Sequence, residues 1–213
     1  MSNQITASKH FQWNKPYTQA DLLSKYKQYQ FRAKLAPDAN GVSEEITITS
    51  PIMHKTGNHE VTCMEILPAV MRARDNLHWT WSVTFTKMTN CLDQDLVEIW
   101  NKIVTDDYNT NALKTANNFK ACTGKMIAKC IGRDYPRDDV LELLETGVKK
   151  SLEMTPTQLW DRLKEMNKMA AILPGTVTVP NDDVLKSYFL RALPQSMKEQ
   201  MFLSGLNQQS RPG

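Results

Sequence analysis

Residues 181–205, NDDVLKSYFLRALPQSMKEQMFLSG, decide the fold class. Leu185, Phe189 and Leu193 recur every four residues with Tyr188 and Ala192 beside them, which makes one face of a helix apolar. Pro194 stops that helix, because the residue before a proline is pushed out of the helical region. Ser196 with Glu199 reads as a capping box opening a second short helix, and Gly205 as its close. No residue in the stretch is an obvious reactive group, so the chain spends this region on helix lengths, caps and breaks.

Composition agrees with a helical globular protein. The 213 residues suffice for one domain or two small ones, each with its own core. Hydrophobic residues make up 41%, far above a disordered composition. Glycine is scarce, at 8, beside 11 methionines, which favours helix over sheet. Lys and Arg number 26 against 23 Asp and Glu, so the net charge of +3 gives no strong attraction to polyanions. That charge is mildly uneven: residues 1–109 hold 11 basic and 12 acidic residues, residues 110–213 hold 15 and 11.

The thiols Cys63, Cys91, Cys122 and Cys130 are widely spaced with no C-x-x-C, the usage expected of reduced, buried small hydrophobes. The start MSNQITASKHFQW lacks the apolar segment of a secretory leader. No apolar run approaches the ~18 residues of a membrane span, and no N-x-S/T sequon occurs. A cytoplasmic protein without a membrane partner is expected.

Along the chain, residues 1–17 are polar with isolated Phe11, Trp13 and Tyr17, and read as an N-terminal arm. Thr18 caps a first predicted helix, TQADLLSKYKQYQ, with Leu22, Tyr26 and Tyr29 on one side. Alternation at Ile46 and Ile48 reads as a strand, joined to Phe31–Leu35 through the turn PDANG (37–41). Beyond His59 the pattern is helical almost throughout. EVTCMEILPAVMRARDNLHW (60–79) places Val61, Met64, Ile66 or Leu67 and Met71 on one side, with Pro68 as a kink or boundary. WSVTFTKMTNCL suits either helix or strand. DQDLVEIWNKIV takes Asp93 or Asp95 as its cap and buries Leu96, Ile99, Trp100 and Ile103. NALKTANNFKACTGKMIAKCI (111–131) reads as one helix, and GRDYP (132–136) as a boundary. In TPTQLWDRLKEMNKMAAIL, Thr155, Pro156 and Gln158 supply a cap, a first-turn proline and a reciprocal partner.

The chain offers little chemistry. His54, His59 and Cys63 could contribute metal ligands, but the nearest candidates to complete a set, His78 and Cys91, have no matched spacing. Gly124-Lys125 resembles the end of a P-loop, yet Phe119 stands where the first glycine belongs and Met126 where Ser or Thr would hold magnesium. Of the carboxylate pairs Asp106-Asp107, Asp138-Asp139 and Asp182-Asp183, the last two directly precede apolar helices and read as caps. Lys114, Lys120, Lys125 and Lys129 fall on one predicted helix and form the candidate nucleic-acid site, a basic stripe able to meet phosphates. The residues therefore predict a non-enzymatic protein with no cofactor, no metal and no small-molecule substrate.

An ordered series carries a family resemblance. TPTQLWDRLKEMNKM is followed by ILPG, a polar loop, NDDVLK and YFLRALPQSMKEQMFLSG. This series resembles the close of the capsid region in the Gag polyproteins of copia-type LTR retrotransposons. Upstream, ITSPIMHKTGNHEVTCMEILPAVMRAR, with Gly57 and Glu60, and VEIWNKIV are similar to the opening segment of that family. The likeness covers residues 46–205, about three quarters of the chain. It implies a mainly α, two-lobed, retroviral-capsid-like helical fold with a small N-terminal β-hairpin. The arm (1–17) would precede an N-terminal lobe (18–133), a C-terminal lobe (134–205) and a flexible tail (206–213).

The resemblance further implies a structural protein that self-assembles, as a homo-oligomeric shell, into virus-like particles enclosing retrotransposon RNA. A ring-forming contact is expected from the first lobe and a two-fold contact from the second. The retroviral Q-x3-E-x7-R pattern is not met, since Arg162 stands four residues after Gln158, and no zinc knuckle occurs. RNA packaging would then fall to the lysine stripe or the arm. Two alternatives share the features so far: an RNA-binding nucleoprotein, and a domesticated Gag-derived adaptor that binds protein partners.

Overall fold

The computed structural model describes residues 22–23, 25–34, 39–41, 43–150 and 154–203, without the side chains of 201–203. The arm, the Thr18 cap, Gly205 and the tail lie outside the described residues. Strand β1 (Gln28–Lys34) pairs antiparallel with β2 (Glu45–Pro51), Phe31 facing Ile48 and Lys34 facing Glu45. Tyr29, Phe31, Ile46, Ile48 and Ser50 turn inward while Gln30, Arg32, Thr47 and Thr49 face water, the period of two expected of a half-buried ribbon. Tyr29 thus belongs to the strand rather than to the first helix: helical structure is confined to residues 22, 23 and 25 of the described segment, and period-two burial wins from Gln28 on. In the PDANG turn, Gly41 takes φ +77°, a left-handed conformation that glycine adopts without a Cβ penalty.

Eight helices follow among the described residues, so the protein is mostly helical with one two-stranded sheet. Helix α1 runs over 59–76: α-helical at His59–Val61, π-helical at Thr62–Ile66, α-helical again at Leu67–Asn76. Pro68 neither ends nor breaks it. The wide turn closes with the Leu67 N–H donating to the Thr62 carbonyl, and the α-helical hydrogen bonding restarts with Pro68 in its first turn, where a missing N–H costs little. The buried side is Val61, Cys63, Ile66, Leu67, Ala69, Val70 and Ala73, leaving Met64 and Met71 half-buried.

The ambiguous segment is helical. Helix α2 (Trp81–Met88) is capped by Thr80, whose hydroxyl accepts from the Val83 N–H. The hydroxyls of Thr84 and Thr86 donate to carbonyls four residues back, which lets these strand-favouring residues sit in a helix. Asp93 caps α3 (Gln94–Asp107), accepting from the Leu96 N–H, and Leu96, Trp100 and Ile103 are buried. The next segment is not one helix: a 3-10 turn (Asn111–Leu113) precedes α4 (Ala116–Ile131), which Thr115 caps.

Gly132, at φ +68°, ends α4, and Pro136 opens α5, α-helical at Pro136–Glu142 and π-helical at Leu143–Gly147. Thr155 and Gln158 form the reciprocal capping box of α6 (Pro156–Ile172). Asn181 rather than an aspartate caps α7 (Asp182–Ala192), leaving Asp182 and Asp183 in its first turn. Helix α8 (Gln195–Leu203) starts without the Ser196–Glu199 box: the Pro194 carbonyl accepts from Met197 and Lys198, and Gln195 donates to Glu199.

Two apolar cores result. The first gathers the hairpin, α1–α3 and the front of α4 around Phe85, Trp100, Tyr108 and Phe119. The second gathers α5–α7 around Val140, Leu144, Leu159, Leu163, Met166, Leu173 and Leu185. Helices α1 and α4 put buried residues into both, and Ile172 at the end of α6 packs against both. Val61 and Ile66 of α1 face the first core while Cys63 faces the second, and on α4 Met126 and Ile127 divide in the same way. The break at 132–136 divides the chain, but the packing runs across it.

Candidate functional site

Helix geometry disperses the lysine stripe. Lys114 precedes α4, and its Nζ reaches the Ser82 hydroxyl at 3.4 Å. Lys125 is half-buried, donates to Asp107 at 2.8 Å and lies 5.2 Å from the centre of the Tyr108 ring. The hydrogen bond it donates to Asp107 is the main cause that raises its pKa, against the opposing effect of burial. Lys120 and Lys129 are exposed, but nine residues of α-helix separate them by about 180°. The four lysines are therefore not brought together on one face.

The thiols are chemically quiet. Burial pushes Cys91 and Cys122 up to about 12 and Cys130 to about 11. Burial, with the nearby Glu60 charge, raises Cys63 as well. All four are free and stay protonated at neutral pH. His54 turns to Asp93, Nδ1 to Oδ2 at 3.2 Å, while His59 and Cys63 are buried in α1. No group of three or more His, Cys, Asp or Glu side chains able to hold a metal ion occurs among the described residues.

Most of the paired carboxylates are engaged. Lys102 meets Asp106 at 3.2 Å, Arg133 meets Asp139 at 3.6 Å and Lys186 meets Asp183 at 3.0 Å. Asp138 clasps the loop that follows α6: it accepts from the Thr176 hydroxyl at 2.7 Å and from the Thr176 and Val177 N–H groups at 3.0 Å. Desolvation opposes ionisation there, but these hydrogen bonds and the Arg137 charge outweigh it and hold the carboxyl below its usual range. Arg137 completes the clasp by donating through Nε to the carbonyls of Ala170 and Leu173. Gly175 allows the approach, since a Cβ there would stand 2.4 Å from Cβ of Arg137.

The Gly124-Lys125 pair has a packing role in place of a phosphate one. Gly124 is buried in the middle of α4, and a Cβ on it would lie 2.1 Å from the Ile172 carbonyl oxygen at the end of α6. The side chains that sequence reading missed are Glu60 and Arg162. They are 1% and 3% exposed and form a two-pronged ion pair, with Nη2 donating to Oε2 at 2.8 Å and Nη1 donating to Oε1. No local signal could have found a pair 102 residues apart.

Apolar groups also reach the surface. On α6 and α7, Trp160 and Phe189 meet edge to face, ring centres 5.6 Å apart. Tyr188 and Leu190 are half-buried beside them, and Val184 is 40% exposed. No helix among the described residues is long and apolar enough to cross a membrane. Searches against known protein families, curated proteins and solved structures match nothing to this chain.

Proposed function

We propose that this chain is a structural Gag capsid protein of an LTR retrotransposon, which self-assembles into virus-like particles enclosing element RNA. The observation that carries the reading is the order of segments from residue 155 onward. TPTQLWDRLKEMNKM, ILPG, NDDVLK and LPQSMKEQMF are, in turn, a capped helix, a clasped loop, a second capped helix and a proline-started third helix. The polar side chains in this region serve caps, clasps and ion pairs, the equipment of a rigid building block. Half-buried Trp160, Tyr188 and Phe189 with exposed Val184 give α6 and α7 an apolar surface suited to another copy of the chain. Weak contacts of this kind become strong when symmetry repeats them.

Light scattering on the purified chain, over a range of protein and salt concentrations and with and without single-stranded RNA, tests this. Mass should grow with concentration far beyond a dimer. A nucleoprotein would instead stay small without RNA and bind it with a steep salt dependence. An adaptor would stay small in both conditions.

A further inference from the structure

Glu60 lies in the first turn of α1, two residues after the Asn58 cap and before the π turn, while Arg162 lies in α6. Val61, next to Glu60, packs into the first core; Cys63, and Leu159 and Leu163 on either side of Arg162, pack into the second. The ion pair therefore sits on the seam between the cores. Arg162 also reaches Glu165 at 3.2 Å, so its guanidinium faces two carboxylates. Burial alone would lower its pKa, but the hydrogen bond and charge of Glu60 outweigh burial and the group stays charged.

A buried ion pair contributes little net stability, because desolvation offsets the Coulomb attraction. Its geometry is another matter. A guanidinium fork meets both carboxylate oxygens in one planar arrangement, which narrows the relative placements open to the two helices, whereas an aliphatic seam tolerates repacking. Breaking such a pair also strands a charge in the interior. We infer that Glu60 and Arg162 form a latch that fixes the second core on the first, so that the protein moves as one body whose cores do not reorient. This inference stands independently of the capsid reading.

Hydrogen exchange followed by mass spectrometry on the full chain tests it, in the wild type, in Glu60→Gln and in the double variant Glu60→Met/Arg162→Met. The first removes the charge, and the second fills the site with apolar side chains. In the wild type, residues 67–126 and 156–193 should open together. In either variant, amides of 136–193 should exchange at least about tenfold faster, with 67–126 nearly unchanged. If Glu60→Gln does not fold, the double variant decides. A double variant that folds and exchanges like the wild type, or that accelerates uniformly along the chain, would overturn the latch.

Discussion

The two cores of this protein use aromatic residues in opposite ways. In the first, Phe85, Trp100 and Phe119 are buried and meet edge to face or tilted at 5.2 to 5.7 Å, with the Trp100 Nε1–H donating to the Phe85 carbonyl at 3.0 Å. In the second, the buried residues are mainly aliphatic, and Trp160, Tyr188 and Phe189 lie at its margin. Large rigid rings with a satisfied polar atom specify one packing; leucine and methionine fill space with less directional preference. The rings set the shape of the first core, with the Asp93 cap of α3 and the Asn58 N–H donating to the Tyr26 hydroxyl at its edge. The second relies on polar fixtures at its edge: the Asp138 clasp, the Thr155 box and the Glu60–Arg162 pair. Its aromatics are left to meet another surface.

The largest effect is expected where the first core is attacked. Trp100→Ala removes a buried ring and its hydrogen bond, and should cost about 4 kcal/mol in urea unfolding. Next is the seam. Gly124→Ala places a methyl group against the Ile172 carbonyl, backbone that cannot swing aside, and α4 and α6 must separate. A loss of about 2 kcal/mol or more in the same experiment is expected, with a rise in exchange that includes the second core. Were Gly124→Ala neutral, the two cores would be less firmly joined than the shared helices suggest.

These contrasts were unequally legible in the sequence. Caps such as Thr155 with Gln158, and the hairpin around Ile46 and Ile48, were readable because donor, acceptor and period lie within a few residues of one another. At Tyr29 a helical spacing from Leu22 and Tyr26 competes with the alternation that starts at Gln28, and only the pairing to Ser50 decides between them. Pro68 signalled a break that a π turn upstream absorbs. The four lysines do not share one face, since Lys114 precedes α4 and Lys120 and Lys129 lie on opposite sides of it, an angular relation that their spacing on a longer helix conceals. The Glu60–Arg162 pair and the contact of Gly124 with Ile172 depend on tertiary approach, which neither composition nor periodicity encodes.

Smaller effects are expected at the second core's edge. Asp138→Ala should cost about 1 kcal/mol and free the 173–177 loop to proteolysis, leaving the first core untouched. The acid dependence follows from the lowered pKa of Asp138. A carboxyl depressed by folding stabilises the native state above its unfolded pKa of about 3.9, and that contribution fades as pH falls toward the lower folded value. Amide exchange of Thr176 and Val177 should therefore accelerate selectively below about pH 4, and Asp138→Ala should abolish the selectivity. Smallest of all, Lys120→Glu with Lys129→Glu, both exposed, should shift the melting temperature by less than about 2 °C. If the same pair of changes abolished RNA binding, those two lysines would act on RNA despite facing opposite ways.

Assembly is seen directly by negative-stain electron microscopy of the full chain at high protein concentration, with and without RNA. The capsid reading predicts closed shells or regular tubes tens of nanometres across. A field of monomers or dimers under every condition would contradict it.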